Sequence, residues 1–322
     1  MAILVTGIAG FIGSHVGKAL LERGDEVIGI DNISDYYDIN LKKNRLKSIE
    51  NFKNLKFKNI DVSDFNSLQS IFSNNKVTKI CHLAAQAGVR YSLKAPMEYV
   101  KSNIVGHVNI LECCKKFNVN NLVYASSSSV YGGNLKVPFS VDDRVDNPLS
   151  LYAATKRTDE LISYTYEHLY GINTIGLRFF TVYGPWGRPD MATWIFTEKI
   201  INNKPIEVYN NGDMERDFTY IDDIVKGTLN VVDFCEKKPL IKGKIYNIGN
   251  NKPENLLDFI AVIEDYLGIK ANKVFKPIQP GDVVKTYADI SKIKEDFNFS
   301  PVITIKEGIP KFIDWYKDYN KV

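Results

Sequence analysis

The sequence predicts an α/β protein: a doubly wound parallel sheet with a smaller mixed α/β domain in the C-terminal part. Two observations carry this expectation. Short apolar runs alternate with longer segments of helical period, as βαβ units require, and a glycine triplet falls between the first run and the first helix. Residues 3–6 read as the first strand, 11–23 as the helix after it with Gly24 as its stop, and 27–30 as the second strand. Further strands are expected at 55–60, 79–83, 121–125 and 173–177, with helices at 65–72, 98–117 and 152–170. After Leu177 the rhythm breaks, and residues 178–190, rich in Gly, Pro and aromatics, read as loop-borne site material. A helix at 193–201, a short strand at 206–209, a helix at 221–234, an extended segment at 244–248 and a helix at 256–267 follow. These pieces interleave, so the expected division is discontinuous: residues 1–179 and 216–247 form the larger domain, and 180–215 and 248–322 the smaller one.

With 322 residues, 44% hydrophobic and 25% charged, the chain has ordinary globular composition. Its net charge is only +3 and its lysines are scattered, which argues against a nucleic-acid or membrane-surface partner and leaves room for a small anionic ligand. Cys81, Cys113, Cys114 and Cys235 form no Cys-x-x-Cys pair and lie at no metal-ligand spacing from histidines. They read as reduced packing thiols, and no metal site is expected. The opening Met1-Ala2-Ile3-Leu4-Val5-Thr6-Gly7 is no basic leader, and no run of about 18 apolar residues occurs, so a cytoplasmic protein is expected.

Gly7-Ile8-Ala9-Gly10-Phe11-Ile12-Gly13 joins the first strand to its helix. Glycines there allow a tight turn and let backbone N–H groups at the helix N-terminus approach a pyrophosphate, with Gly7, Gly10, Phe11, Ile12 and Gly13 as candidate contacts. The spacing is Gly-x-x-Gly-x-x-Gly rather than the commoner Gly-x-Gly-x-x-Gly, and its place between strand and helix gives it meaning. Asp31 ends the second strand roughly 20 residues after the last glycine, where a carboxylate accepts from the adenosine ribose hydroxyls and repels a 2′-phosphate. Its neighbour is Asn32 rather than arginine, so NAD is expected over NADP, in a Rossmann-type domain. Asp61-Val62, ending the third strand, is an adenine contact, or Asp61 is a turn residue ahead of a helix.

Tyr152-Ala153-Ala154-Thr155-Lys156 sets a phenol and an ammonium one helical turn apart, facing the strand ends where a nicotinamide would lie. The ammonium favours phenolate, and a phenolate can remove a proton from a substrate hydroxyl as hydride leaves the same carbon for NAD. Among 18 tyrosines about two such pairs arise by chance, and Tyr266 with Lys270 is another. The strand ending Tyr124-Ala125-Ser126-Ser127-Ser128-Ser129 distinguishes the first pair, because it delivers hydroxyls to the same sheet edge just before the Tyr152 helix.

On these segments the chain resembles the extended short-chain dehydrogenase/reductase family: residues 6–13, Leu83-Ala84-Ala85-Gln86, 126–132, 152–156 and 216–223, a likeness that runs through nearly the whole chain. The resemblance implies that Ser127, four residues before Tyr131, hydrogen-bonds the reacting oxygen. It implies that Leu83, Ala84 and Ala85 lie along NAD, that Asn103 lies near the nicotinamide, and that Lys156 also holds the nicotinamide ribose. Ser128 and Ser129 also suit a simple strand-end turn.

Members of this family that eliminate water carry an Asp-Glu pair after the catalytic hydroxyl, and the decarboxylases carry a glutamate; here Ser128 and Ser129 stand in those places. Elimination or C5 deprotonation needs a carboxyl acid/base beside a 4-keto sugar, so 4-epimerisation is the expected reaction. The run Arg178-Phe179-Phe180-Thr181-Val182-Tyr183-Gly184-Pro185-Trp186-Gly187-Arg188-Pro189-Asp190-Met191-Ala192 is similar to that of UDP-glucuronate 4-epimerases, with Thr181 where galactose epimerases usually have asparagine. An arginine fork suits a glucuronate carboxylate, with Arg188 and then Arg90 as candidates. Either could instead pair with a loop aspartate or bind diphosphate. Ser128 and Thr181 are further sugar-contact candidates, while Arg216 and Asp282 match family positions that meet the nucleotide diphosphate and ribose, unless Asp282 is a turn residue after Pro-Gly.

The smaller domain is thus expected to bind a nucleotide sugar. The alternatives are a 4-epimerase of neutral UDP-sugars, such as UDP-glucose or UDP-N-acetylglucosamine, and a noncatalytic NAD-binding protein. The apolar faces of the 98–117 and 152–170 helices, together with the resemblance, imply a homodimer.

Overall fold

In the computed structural model, residues 1–234, 244–279 and 282–322 are described; Cys235 and the Pro280-Gly281 pair lie outside them. The chain runs β1 (Ala2–Thr6), α1 (Phe11–Glu22), β2 (Glu26–Asp31), α2 (Ile39–Lys47), β3 (Leu55–Asn59), α3 (Phe65–Asn74) and β4 (Val77–His82). It continues through α4 (Pro96–Tyr99), a π-helical stretch Val100–Val105, α5 (Gly106–Phe117), β5 (Asn121–Ser127), α6 (Leu151–Tyr170), β6 (Asn173–Phe179), β7 (Thr181–Tyr183), α7 (Ala192–Ile201) and β8 (Ile206–Tyr209). The last third holds β9 (Glu215–Tyr220), α8 (Ile221–Phe234), β10 (Lys244–Ile248), β11 (Pro253–Asn255), α9 (Leu256–Leu267), β12 (Lys273–Lys276), α10 (Ser291–Phe297) and α11 (Ile305–Asn320).

Seven strands form one parallel sheet in the order β10-β6-β5-β4-β1-β2-β3. Every residue of β1 and of β6 is buried; β1 reads as a continuous apolar run without alternation, whereas β6 also buries Asn173, Thr174 and Arg178. The strand period still sorts their side chains. Ile3 and Val5 join one core, with Val16 and Leu20 of α1, while Ala2 and Leu4 join the opposite one, with Leu68 and Ile110. Outermost β3 is largely exposed and carries Lys56 and Lys58, charges that discourage edge-to-edge pairing. Strand order reverses between β1 and β4, and a doubly wound sheet opens a ligand crevice beyond the carboxyl ends of its strands at such a point.

Beyond β6 the chain builds a second layer at that crevice. Thr181–Tyr183 pairs parallel with Phe218–Tyr220, β11 adds antiparallel to β9, and β12 pairs with β8. Stacked Phe218 and Phe259, 4.1 Å apart, and the Trp194, Phe312, Trp315 and Tyr316 cluster fix this layer to α9 and α11.

The structure departs from expectation in three places that bear on function: within the 178–190 run, read as loop, Arg178 and Phe179 end β6 and Thr181–Tyr183 form β7, because these residues pair with β10 and β9. Helix 98–117 is interrupted: residues 100–105 widen into a π-helical stretch, which carries Asn103 into the interior. Helix α2 was not expected, since its buried residues are Leu41, Lys42 and Arg45, and two cations among three give no apolar period. The thiols of Cys81, Cys113 and Cys114 are buried. No described helix is long and apolar enough to cross a membrane.

Candidate active site

A single cavity of about 1050 Å³ lies across the carboxyl ends of the central strands. Every residue singled out from the sequence lines it except Asn103. At one end is the glycine loop. Gly7 has φ +71°, a conformation that suits glycine, and its N–H donates to Ile30 O at 2.8 Å. A methyl group on Gly13 would sit 2.0 Å from Gly7 O, and one on Gly10 2.9 Å from the same atom, so the loop closes against backbone with no room for side chains. Gly10 caps α1 without a side-chain hydrogen bond, which leaves the first-turn N–H groups pointing at the cavity for an anion.

Asp31 is buried at the end of β2, where its carboxylate accepts from Ala9 N at 2.9 Å and Ile33 N at 2.8 Å. Burial pushes its pKa up and the two N–H groups oppose that push. It therefore fixes the glycine loop as well as lining the cavity. Asn32 donates to Asp61 at 3.2 Å, and Asp61 also accepts from the backbone and hydroxyl of Ser63. Asp61 is thus a turn residue that also lines the cavity, beside buried Val62. Leu83 and Ala84 donate to Thr6 Oγ1 at 3.1 and 3.0 Å, which holds the 83–86 strand exit against the end of β1.

Asn103 stands behind the cavity wall. Its Oδ1 accepts from Gln86 N at 2.8 Å, while its amide donates to Gln86 O and Thr155 Oγ1 at 3.1 and 2.9 Å. It clamps that wall to α6, with its side-chain amide committed to Gln86 and Thr155.

Tyr152 and Lys156 begin α6, whose N-cap Ser150 accepts from Ala153 N. The positive end of the helix favours an anion at this turn. The Tyr152 ring meets the Tyr99 ring edge-on at 6.0 Å. Lys156 Nζ donates to Ala125 O at 3.0 Å and to Asp159 at 3.1 Å, which leaves one of its three N–H groups for a ligand. Burial pushes Asp159 up to about 7, with Lys156 working against the rise. Ser127 ends β5, and its hydroxyl accepts from Ser129 N at 3.1 Å, so Ser128–Tyr131 turns into a short 3-10 helix that faces Ser128 and Ser129 to the cavity.

Beneath this corner lies a buried ion pair that the sequence did not suggest. Arg178 donates to both oxygens of Glu160, at 2.8 and 2.9 Å, and Glu160 also accepts from Ser126 and Arg157.

At the other end, Arg188 donates Nε and Nη2 to Asp190 at 2.9 and 2.5 Å, and Tyr36 donates to the same carboxylate at 3.0 Å. The fork expected to face a sugar acid is therefore already oriented by a neighbour, with two of its five N–H groups committed. Arg90 lies 3.6 Å from Asp282 and over the Tyr209 ring, so two separately predicted contacts form one charged pair. Arg216 is anchored by Glu215 O and Val284 O at 2.9 and 3.0 Å, and Thr181 opens β7 on the same wall.

A model described as GDP-mannose 4,6 dehydratase matches residues 4–312, and the chain belongs to that family of extended short-chain dehydrogenase/reductases. Within it, the chain is 47% identical to UDP-glucuronate 4-epimerase 2 of Arabidopsis thaliana, over 100% of this chain and 77% of the plant protein. It is 50% identical to protein CapI of Staphylococcus aureus over 100% of both. Its fold matches that of UDP-glucuronic acid 4-epimerase from Bacillus cereus in complex with UDP-glucuronic acid and NAD, with a TM-score of 0.93, 36% identity, and 99% and 100% of the two chains covered.

Proposed function

We propose that this protein is an NAD-dependent 4-epimerase that interconverts UDP-glucuronate and UDP-galacturonate. The observation that carries the reading is a single cavity containing the glycine cradle with Asp31, the Ser127, Tyr152 and Lys156 corner, and serines rather than carboxylates at 128 and 129. The plant relative and the Bacillus cereus structure, both UDP-glucuronate 4-epimerases, support it. NAD would be held by the glycine loop and Asp31 and would supply a reversible hydride acceptor for the hydrogen at sugar C4.

The glycine loop receives the pyrophosphate and Asp31 the adenosine ribose. Tyr152 accepts the proton of the C4 hydroxyl and later gives it back, Ser127 hydrogen-bonds the same oxygen, and the remaining N–H of Lys156 holds the nicotinamide ribose. Arg216, Arg90 and Asp282 hold the nucleotide end, while Ser128, Thr181 and Arg188 face the sugar acid. Tight nucleotide contacts with loose sugar contacts let the oxidised ring turn between the two transfers. Residues 1–179 and 216–247 serve the dinucleotide, and 180–215 and 248–322 the nucleotide sugar. The assembly we propose is a cytoplasmic homodimer: Leu93, Met97 and Val105 near α4, and Leu161, Tyr164 and Leu169 on α6, are exposed apolar side chains that a second copy can cover.

Incubating the purified protein with UDP-glucuronic acid, without added reductant, should yield UDP-galacturonic acid with no net NADH, read by proton NMR at sugar C4. A pentose product would mean decarboxylation, and turnover of UDP-glucose in place of the acid would overturn the assigned sugar. Gly13→Ala should weaken NAD binding at least about ten-fold, roughly 1.4 kcal/mol, because its methyl collides with Gly7 O. Equilibrium dialysis of the variant against NAD tests this, and undiminished affinity would remove the cradle from the site.

A further inference from the structure

Arg45, on α2, and Arg178 are the two largest fully buried side chains of the described residues, and among these residues the Arg45 guanidinium hydrogen-bonds no carboxylate. Its guanidinium is held instead by neutral acceptors from three separate stretches of chain, two of them distant in sequence. Nη1 donates to Ala9 O at 3.1 Å and to the Tyr37 hydroxyl at 2.6 Å; Nε and Nη2 donate to Trp186 O at 3.1 and 2.6 Å; and Nη2 also reaches Gly187 O at 3.2 Å. One group therefore spans the glycine loop and the turn before Arg188.

That turn needs holding. Trp186 has φ +63°, a conformation that side-chain-bearing residues rarely adopt and that persists only where the surroundings enforce it. Two N–H groups on its carbonyl and ring contacts to Trp315 and Tyr319, at 5.1 and 5.4 Å, supply the enforcement. The Tyr319 hydroxyl accepts in turn from Asn44 of α2 at 3.0 Å. Gly187 N closes the turn on Gly184 O at 3.0 Å, and Arg188 follows directly, its partner Asp190 steadied by Tyr36 from the loop that leads into α2.

We infer that Arg45 is a positioning residue for substrate selection: it holds the Trp186-Gly187 turn that aims Arg188 at the sugar carboxylate, and registers that turn against the glycine loop through Ala9. The inference rests on the reading of Arg188 as the carboxylate contact. Arg45 does not line the cavity, so it acts through Arg188 and not on a ligand directly. A lysine keeps the charge but has three donors on a point rather than five in a planar fork, and cannot serve these acceptors together.

The test is calorimetric binding of UDP-glucuronate, UDP-glucose and UDP to the NAD-loaded protein. Arg45→Lys should weaken UDP-glucuronate about ten-fold while UDP-glucose and UDP stay within about two-fold, since only the acid uses Arg188. Tyr37→Phe removes one acceptor from the fork and should shift the same ratio in the same direction by less, which keeps the test open if Arg45→Lys fails to fold. A purely structural role for Arg45 would weaken all three ligands alike, and that result, or none weakening, overturns the inference. Arg188→Met is the control. If it leaves the ratio of acid to neutral sugar unchanged, the underlying reading of Arg188 fails; if it moves the ratio while Arg45→Lys and Tyr37→Phe do not, only the role of Arg45 fails.

Discussion

Tyr152→Phe is expected to lower kcat for UDP-glucuronate about 10³-fold while NAD and nucleotide-sugar affinities stay within about two-fold of the parent. The change removes one oxygen at the point where a proton must leave the C4 hydroxyl. It costs the fold little, because no described residue hydrogen-bonds the Tyr152 hydroxyl and the phenyl ring keeps its edge contact with Tyr99. Rates from NMR time courses, with NAD affinity from equilibrium dialysis, separate chemistry from binding. Retention of more than about a tenth of the activity would move the general base to another group.

The second large effect concerns stability. Glu160→Gln should cost about 3–5 kcal/mol in urea unfolding, because the carboxylate it removes is the partner that Arg178 needs in a fully buried place. Burial works against the charge of Glu160, yet the Arg178 fork, Ser126 and Arg157 together hold its carboxyl below the usual glutamate range. With the folded-state pKa lowered, the stabilisation is present in full above the ordinary glutamate range and is lost only as pH falls through the lowered value. The difference between parent and variant should therefore be constant near neutrality and shrink in acid. A variant within about 1 kcal/mol of the parent at neutral pH would show that Arg178 finds another partner. Ser126, a Glu160 donor, adjoins Ser127, so the substitution should also slow turnover.

What the sequence made legible follows from the kind of force involved. Central strands such as β1 were readable because burial on both faces leaves an uninterrupted apolar run, and the glycine loop because backbone contact excludes side chains. The pairing of Arg188 with a loop aspartate was anticipated as an alternative and Asp190 is that aspartate, but the hold of Tyr36 on it was not, since Tyr36 comes from a separate loop and polar pairing leaves no period. Arg45 is the extreme case. A charged residue in a charged nonapeptide reads as solvated surface, and only the folded chain brings four oxygens around it. Asn103 was found by resemblance, but the resemblance could not say that its amide would be spent on Gln86 and Thr155. Helix α11 is different again: Ile305, Ile309, Phe312, Ile313 and Tyr316 are spaced on one face behind a Thr304 and Glu307 capping box, a signal the expectations left unused.

Strand β10, which pairs along Ile175–Phe179 and completes the large sheet, lies late in the chain, after β7, β8 and β9 of the second layer. During synthesis the flank of β6 stays open until those later pieces have left the ribosome, and a chain cut before residue 244 would carry a fully buried strand with an unpaired edge, a template for aggregation. The large sheet cannot be passed between proteins as an uninterrupted gene segment. With this strand order a new specificity is reached by scattered point changes along the cavity wall, with the sheet left whole.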